Sequence, residues 1–184
     1  FKNKIKGKKL TYLDSANSSQ KPQSVINAIN DFYTNRFSNV GRGIYTLAVN
    51  ASEDYEKTRN NIKKFIGSGK DYELIFTKNA TESLNLVASC YGEKFINKGD
   101  EIILTDMEHH ANYVPWHFLR KKKGAIIKFI PIDKDGNLQI EKLPSLITSK
   151  TKIISVTHMS NVTGAINPLK EIIEIAKNKN IPVC

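Results

Sequence analysis

Scarcity narrows the reading of this 184-residue sequence first. It holds 2 cysteines, Cys90 and Cys184. They form no CxxC pair and fall on different predicted elements, which argues against a disulfide framework or a cysteine metal site and points to a reducing compartment. Both read as packing residues rather than nucleophiles. No apolar run approaches the roughly 18 residues that a membrane-spanning helix needs, so no transmembrane segment is expected. No internal repeat, low-complexity tract or Gly/Pro-rich linker marks off a complete second domain. Acidic residues are in deficit, with 18 Asp and Glu against 28 Lys and Arg and a formal net charge of +10. Such an excess can attract nucleic acid or anionic membranes. The lysines are spread along predicted helix faces and loops, however, with only residues 121–123 tightly clustered, so they read as solvated, and neither nucleic acid nor a membrane is expected as a partner.

What remains is the composition of an ordinary globular chain, long enough to bury a substantial core. Residues 1–9 are rich in lysine but lack the apolar centre of a signal peptide. The first residue is Phe1 rather than Met, which leaves room for an upstream segment.

Residues 9–13 read as a short extended segment leading into a polar turn at 14–20. Pro22 suits the first turn of a helix carrying Val25, Ile29, Phe32 and Tyr33 on one face and fading near Phe37. Residues 38–43 have loop chemistry. A second helix is expected over 52–66, with Ser52 as N-cap and Gly67 at its end. From Glu73 strands and helices alternate. Strand 73–77 is followed by a helix over 81–91 with Leu84, Val87, Ala88 and Tyr91 facing inward. Strand 101–105 is followed by a helix through Val114, Phe118 and Leu119 that stops before Gly124. Strand 125–132 leads to the Asp135-Gly136 turn and a short helical stretch over 140–147. Strand 151–157 precedes a helix over 168–177 with Leu169, Ile172, Ile173 and Ala176 buried, and residues 181–184 open another strand. The alternation predicts an α/β fold, a mostly parallel sheet with flanking helices on both faces. A chain stopping at the first residues of a strand would leave that sheet incomplete, so the expectation is the N-terminal part of a longer protein. Residues 1–50 are expected to form an N-terminal arm and helix, and residues 51–184 part of a larger domain.

Four stretches carry the chemistry. Residues 107–116 (MEHHANYVPW) follow a buried strand, and the carboxyl ends of strands are where open α/β sheets bind ligands. Imidazoles there can exchange protons near neutral pH or stack on a planar group. Glu108, His109 and His110 are adjacent, and without HExxH spacing they make a poor metal set. By themselves they are as readily a structural imidazole pair. Residues 79–82 (NATE) lie where a strand gives way to a helix. The first-turn N–H groups, the helix dipole and the Thr81 hydroxyl would bind an anion there, unless Thr81 is merely an N-cap. Residues 157–164 (THMSNVTG) follow another strand, and Asn161 is either a turn former or a ligand-facing amide. Arg42, in Gly41-Arg42-Gly43, can clasp a carboxylate or serve at a surface.

Read together with residues 12–22 (YLDSANSSQKP), these stretches resemble the group II (SUF-type) cysteine desulfurases of the class V aminotransferase family, in that family's order along nearly the whole chain. The resemblance implies the large domain of a fold type I transferase dependent on pyridoxal 5′-phosphate (PLP). It gives Ala80 and Thr81 the cofactor phosphate, with Ala80 contributing only its backbone N–H where some relatives carry a hydroxyl. It stacks His109 on the pyridine ring as a catalytic proton carrier, with His110 in support. It places Asn161 on the cofactor's phenolic oxygen and near the substrate, and Arg42 toward the substrate. Asn17 and Gly41 depart from the commoner Ala and His of these segments.

The implied activity converts L-cysteine to L-alanine and passes sulfur to an enzyme cysteine for iron–sulfur cluster assembly. The implied partners are a second copy of the chain, as a homodimer, and a small sulfur-acceptor protein of the SUF pathway. The implied compartment is the cytoplasm, or a plastid-like stroma if a targeting segment precedes Phe1. By the same resemblance, the Asp facing the pyridinium nitrogen would come two residues after Cys184. The cofactor-anchoring lysine, the carboxylate-binding arginine and the sulfur-accepting cysteine would follow later, so the 184 residues alone are not expected to turn over. A selenocysteine lyase or another class V lyase would share these motifs. A non-catalytic basic binding module is the alternative of a different kind.

Overall fold

The computed structural model describes residues 4–184. The start of the N-terminal arm, residues 1–3, lies outside the described residues. The chain forms two compact units, Phe1–Phe76 and Thr77–Cys184.

In the first unit a small hairpin pairs β1 (Lys4–Ile5) antiparallel with β2 (Lys8–Lys9). Helix α1 (Gln23–Asp31) starts directly after Pro22, whose carbonyl accepts from the N–H groups of Val25 and Ile26. It runs into a π-helical turn, Phe32–Arg36, and ends where Phe37 turns extended, so the helix does fade near Phe37. Arg36 sits between Asp31 and Asp54, 3.0 Å from each.

Helix α2 (Thr46–Phe65) begins more than a full turn earlier than the sequence pattern predicts. Ser52 is therefore not its N-cap but an interior residue. Its hydroxyl donates to the Ala48 carbonyl at 2.7 Å and accepts from Gly41 N–H at 3.0 Å, tying the preceding loop to the helix. Hydroxyl side chains bond readily to a carbonyl four residues back, which lets Ser52 resemble a cap in sequence while sitting inside a helix. Arg59 lies over the rings of Tyr55 and Phe76, and its guanidinium holds the Leu74 carbonyl.

Segment 73–77 is not a strand. A strand requires a pairing partner, and none is present for it among the described residues.

The second unit is the α/β body. In chain order it comprises α3 (Ala80–Phe95), β3 (Glu101–Thr105), α4 (His110–Lys123), β4 (Ile126–Ile130), a 3₁₀ turn (Ile140–Lys142), α5 (Leu143–Leu146), β5 (Thr151–Ile154) and α6 (Leu169–Lys177). The three strands form a parallel sheet in the order β4-β3-β5. β3 is central and wholly buried, as a strand covered on both faces must be.

Successive β3 side chains serve opposite faces. Ile102 and Leu104 pack with Ile153 against Ala88, Trp116 and Leu119 of α3 and α4. Ile103 packs with Ile130 and Ile154 against Leu143 and against Ile172 and Ala176 of α6. Each such fully buried side chain contributes about 1.5–3 kcal/mol. Beyond β5 the chain comes back beside the sheet. Val183 bridges Ile154 in parallel, Cys184 N–H donates to the Ile154 carbonyl at 2.8 Å, and Val156 N–H donates to the Cys184 carbonyl at 2.9 Å.

Helix α4 buries Asn112, Pro115, Trp116 and Leu119, while Phe118 and Val114 face outward. Two burial expectations are corrected. Ile173 is 48% exposed, because the covered stripe of α6 is the Ile172/Ala176 side. Cys90 and Cys184 are both exposed, so neither packs in the core: Cys90 lies on the open side of α3, and Cys184 meets the sheet through its backbone.

At the amino end of the sheet one ion pair is nearly buried. Glu101, whose side chain is 8% exposed, lies 2.8 Å from Lys128 on β4. It also accepts from the Thr148 and Thr151 hydroxyls at 2.7 and 2.9 Å. Burial raises its carboxyl pKa, but the Lys128 ammonium and the two hydroxyls outweigh that and leave it below the usual carboxylate range. Nearby the β3–β5 ladder is irregular: Glu101 pairs with Thr151 and Ile102 with Ile153, so Lys152 is an extra residue.

Candidate active site

Helices α3 and α4 run in the same direction across one face of the sheet. Tyr91, late in α3, donates to the Lys152 carbonyl at the start of β5 at 2.9 Å. Gly99 N–H, after α3, donates to the carbonyl of Gly124, the residue that ends α4 in a left-handed conformation (φ 75°). Lys123 donates to the Gly92 and Glu93 carbonyls at the end of α3. Gly92 also allows the helices to approach closely, since a Cβ there would lie 2.6 Å from Leu119 Cδ2. With both C-termini at the amino end of the strands, both N-termini face the carboxyl end, where α/β sheets hold their ligands.

At the N-terminus of α3, Asn79 is the cap. Its side chain accepts from Glu82 N–H at 3.0 Å, and Glu82 reaches back to accept from Lys78 N–H at 2.6 Å. This is a variant of the reciprocal capping box, displaced by one residue on the return arm. Thr81 is thus not the N-cap. It is exposed in the first turn, and among the described residues no protein group engages the Ala80 or Thr81 N–H or the Thr81 hydroxyl as a donor. Two free N–H groups and a hydroxyl at a positive helix end suit a phosphate.

His109 caps α4. Its Nδ1 accepts from Ala111 N–H at 3.1 Å, which directs any ring proton to Nε2 on the exposed edge. The His110 ring is 6.1 Å away, centroid to centroid, at the mouth of a shallow cleft with Asp106, Glu108 and Tyr113. Among the described residues no cluster of three or more His, Cys, Asp and Glu could hold a metal ion.

Asn161 follows β5 on a short hairpin closed by the Met159–Ile166 bridge. The buried Ser160 hydroxyl accepts from Val162 N–H and Thr163 N–H, both at 3.2 Å, and this turn leaves the Asn161 amide exposed. Arg42 lies in the other unit, exposed on the bend before α2.

The structure therefore brings Ala80, Thr81, His109 and Asn161 to one edge of the sheet. What joins the His109 and Asn161 segments is a polar network centred on Glu108. Its Oε1 accepts from the Thr105 hydroxyl at 2.6 Å and from Thr157 N–H at 2.9 Å, and its Oε2 accepts from Asn112 Nδ2 at 2.7 Å. Asn112 Oδ1 in turn accepts from Trp116 Nε1 at 3.1 Å and from the Ser155 hydroxyl at 2.6 Å. Asn167 Nδ2 donates to the Thr157 carbonyl at 2.7 Å, so Thr157 is held on both sides. In the sequence Glu108 stands out only as a potential metal ligand and Asn112 only as an amide beside the two imidazoles, while Ser155 and Asn167 do not stand out. The one available signal is the i, i+4, i+8 spacing of Glu108, Asn112 and Trp116.

Several known proteins are similar to this chain over most of its length. A protein named cysteine desulfurase from Serratia proteamaculans is 44% identical over 179 residues, covering 97% of this chain and 44% of the relative. The apo structure of a cysteine desulfurase from Thermococcus onnurineus superposes with a TM-score of 0.87 at 36% identity, covering 92% of this chain and 42% of that one. The cysteine desulfurase CsdA of Escherichia coli, solved as its S-sulfonic acid, gives 0.82 at 35% identity, with 94% and 43% covered. The chain spans less than half the length of each of these proteins. Its body has the fold of the fold type I PLP-dependent enzymes. The family model described as aminotransferase class-V matches residues 11–184, and the chain belongs to the class-V aminotransferase family.

Proposed function

We propose that the chain carries the cofactor-phosphate, ring-stacking and ring-oxygen contacts of a PLP-dependent cysteine desulfurase. The reaction takes L-cysteine to L-alanine and leaves the sulfur as a persulfide on an enzyme cysteine, for delivery to iron–sulfur cluster assembly. The observation that carries this reading is the convergence of a free helix N-terminus, an exposed imidazole and an exposed amide at the carboxyl edge of one parallel sheet.

The donor set fits the cofactor. The Ala80 and Thr81 N–H groups and the Thr81 hydroxyl would hold its phosphate. The His109 ring would lie on the pyridine, and the Asn161 amide would donate to the phenolic oxygen. When bound, the cofactor supplies an electron sink for the carbon that loses a proton. His109, with Nδ1 occupied by Ala111 N–H, has Nε2 to hold or pass that proton. Arg42 is assigned to the substrate side. A cysteine thiolate takes the sulfur, and neither that residue nor the anchoring lysine has a match among these 184 residues, so the isolated chain is not expected to turn over. The working form is a homodimer, a reading supported by the uncovered apolar residues Val25, Ile26 and Ile29 on α1 and Tyr33 in the π-helical turn after it. A small SUF-type protein is the sulfur acceptor, and the compartment is the cytoplasm or an organelle stroma.

The test is to titrate the full-length gene product with PLP, following cofactor absorbance, and then to assay alanine and sulfide from L-cysteine. Cofactor uptake with equal yields of both in the presence of a reductant is expected. Uptake with turnover of selenocysteine alone would move the assignment to a selenocysteine lyase. No uptake would sink the enzyme reading.

A further inference from the structure

We infer that Glu108 and Asn112 form a carboxylate–amide pair that positions His109 and Asn161, so that cofactor affinity depends on the order of donors and acceptors within this pair. The functional half of the inference rests on the cofactor reading above. The network itself does not.

Groups that can only donate fix the order of the network. Trp116 Nε1 is a donor without acceptor capacity, and it points at Asn112 Oδ1. That contact fixes the orientation of the amide and aims its Nδ2 at Glu108. Thr157 N–H, a second obligate donor, points at the other oxygen of the same carboxyl. Position 108 must therefore present two acceptor oxygens on separate sides, which an ionised carboxylate does and an amide cannot. The hydroxyls of Thr105 and Ser155 can rotate to suit either arrangement, so they do not relax the constraint.

The pair reaches both ligand-facing residues. Glu108 immediately precedes the α4 cap His109, and Asn112 N–H donates to the His109 carbonyl at 2.8 Å. On the other side Glu108 holds Thr157, the root of the hairpin that presents Asn161, and Asn167 grips the same root from its carbonyl. Two loops that leave different strands are thereby set in register by one polar pair, the buried Asn112 and the half-buried Glu108.

The test exchanges the two groups. Glu108→Gln alone turns an amide N–H toward a donor, and Asn112→Asp alone sets two carboxylates face to face. In the double variant E108Q/N112D the new amide oxygen at position 108 accepts from Thr157, and its Nε2 donates to the new carboxylate at position 112. That carboxylate still accepts from Trp116 and Ser155. In the full-length protein each single variant is expected to bind PLP about tenfold more weakly and to shift the Thr157 amide proton resonance. The double variant should recover most of both. Leu119→Ala serves as a control for simple destabilisation: it lowers the melting temperature but leaves PLP affinity unchanged, because Leu119 packs at the far end of α4. Single variants that bind PLP like wild type, or a double variant no better than its parents, would overturn the inference. A wild-type protein that takes up no PLP would overturn the functional half, while recovery of the Thr157 resonance in the double variant would still uphold the network.

Discussion

Replacing Glu101 by Gln tests how much of the sheet's stability sits at the end away from the candidate site. The side chain is 8% exposed, 2.8 Å from Lys128, and accepts two threonine hydroxyls. Gln keeps the volume, and either hydroxyl can turn to accept from its new N–H. Lys128, however, loses its counter-charge while 25% exposed, retaining the Leu146 carbonyl as a partner. A fully buried pair costs about 3–5 kcal/mol to break from one side, and partial exposure of the lysine brings the expectation to about 2 kcal/mol at neutral pH.

The pH dependence has a definite sign. The folded carboxyl pKa lies below its ordinary value. The stability it adds is therefore complete above the unfolded pKa of about 4.3 and is lost as pH falls through the folded one. Urea denaturation of the wild type and E101Q at pH 7 and again near pH 3 gives the comparison. A gap of about 2 kcal/mol that narrows on acidification is expected. A gap of the same size at both values, or none at pH 7, would refute the electrostatic argument.

Three further outcomes are expected. Gly92→Ala should destabilise by about 1–2 kcal/mol despite a helix-propensity gain of about 1 kcal/mol, because the new methyl meets Leu119. Combining it with Leu119→Ala should cost less than the sum of the two, and additive thermal melts would contradict the close approach. Thr81→Val, which removes an exposed hydroxyl whose proton has no protein partner among the described residues, should leave stability within about 0.5 kcal/mol and weaken PLP binding; unchanged binding would remove Thr81 from the phosphate site. The isolated 184-residue chain, with Val25, Ile26, Ile29 and Tyr33 uncovered, should associate with rising concentration in sedimentation velocity, and a monomer throughout the range would contradict that.

The parts of this fold legible in the sequence are those set by local pattern. β3 matches its predicted span to the residue, since the apolar run Ile102–Leu104 between Glu101 and Thr105 suits a central strand buried on both faces. Helix α4 stops where a glycine supplies the left-handed turn. What pattern does not encode is partnership. Residues 73–77 look like a strand but need a neighbour, and Ser52 looks like a cap but finds a carbonyl inside its own helix. The candidate site divides the same way. Thr81, His109 and Asn161 stand out because each follows a predicted strand. The linking role of Glu108 and Asn112 is not legible there, because it lies in contacts with Thr157 and Ser155, more than 40 residues away along the chain.

The extra residue at Lys152 bears on how the chain tolerates changes in length. On either side of it the ladder pairs Glu101 with Thr151 and Ile102 with Ile153, so its loss would close the bulge and leave each later residue opposite its present partner. Ser155 would keep its place against Asn112, and inward and outward positions downstream would not trade places. Losing any one of residues 153–156 instead would move the candidate site out of phase with the sheet that carries it. Lys152 is thus a slack link, the one point on β5 where the gene can shorten the strand without rewriting what lies beyond it.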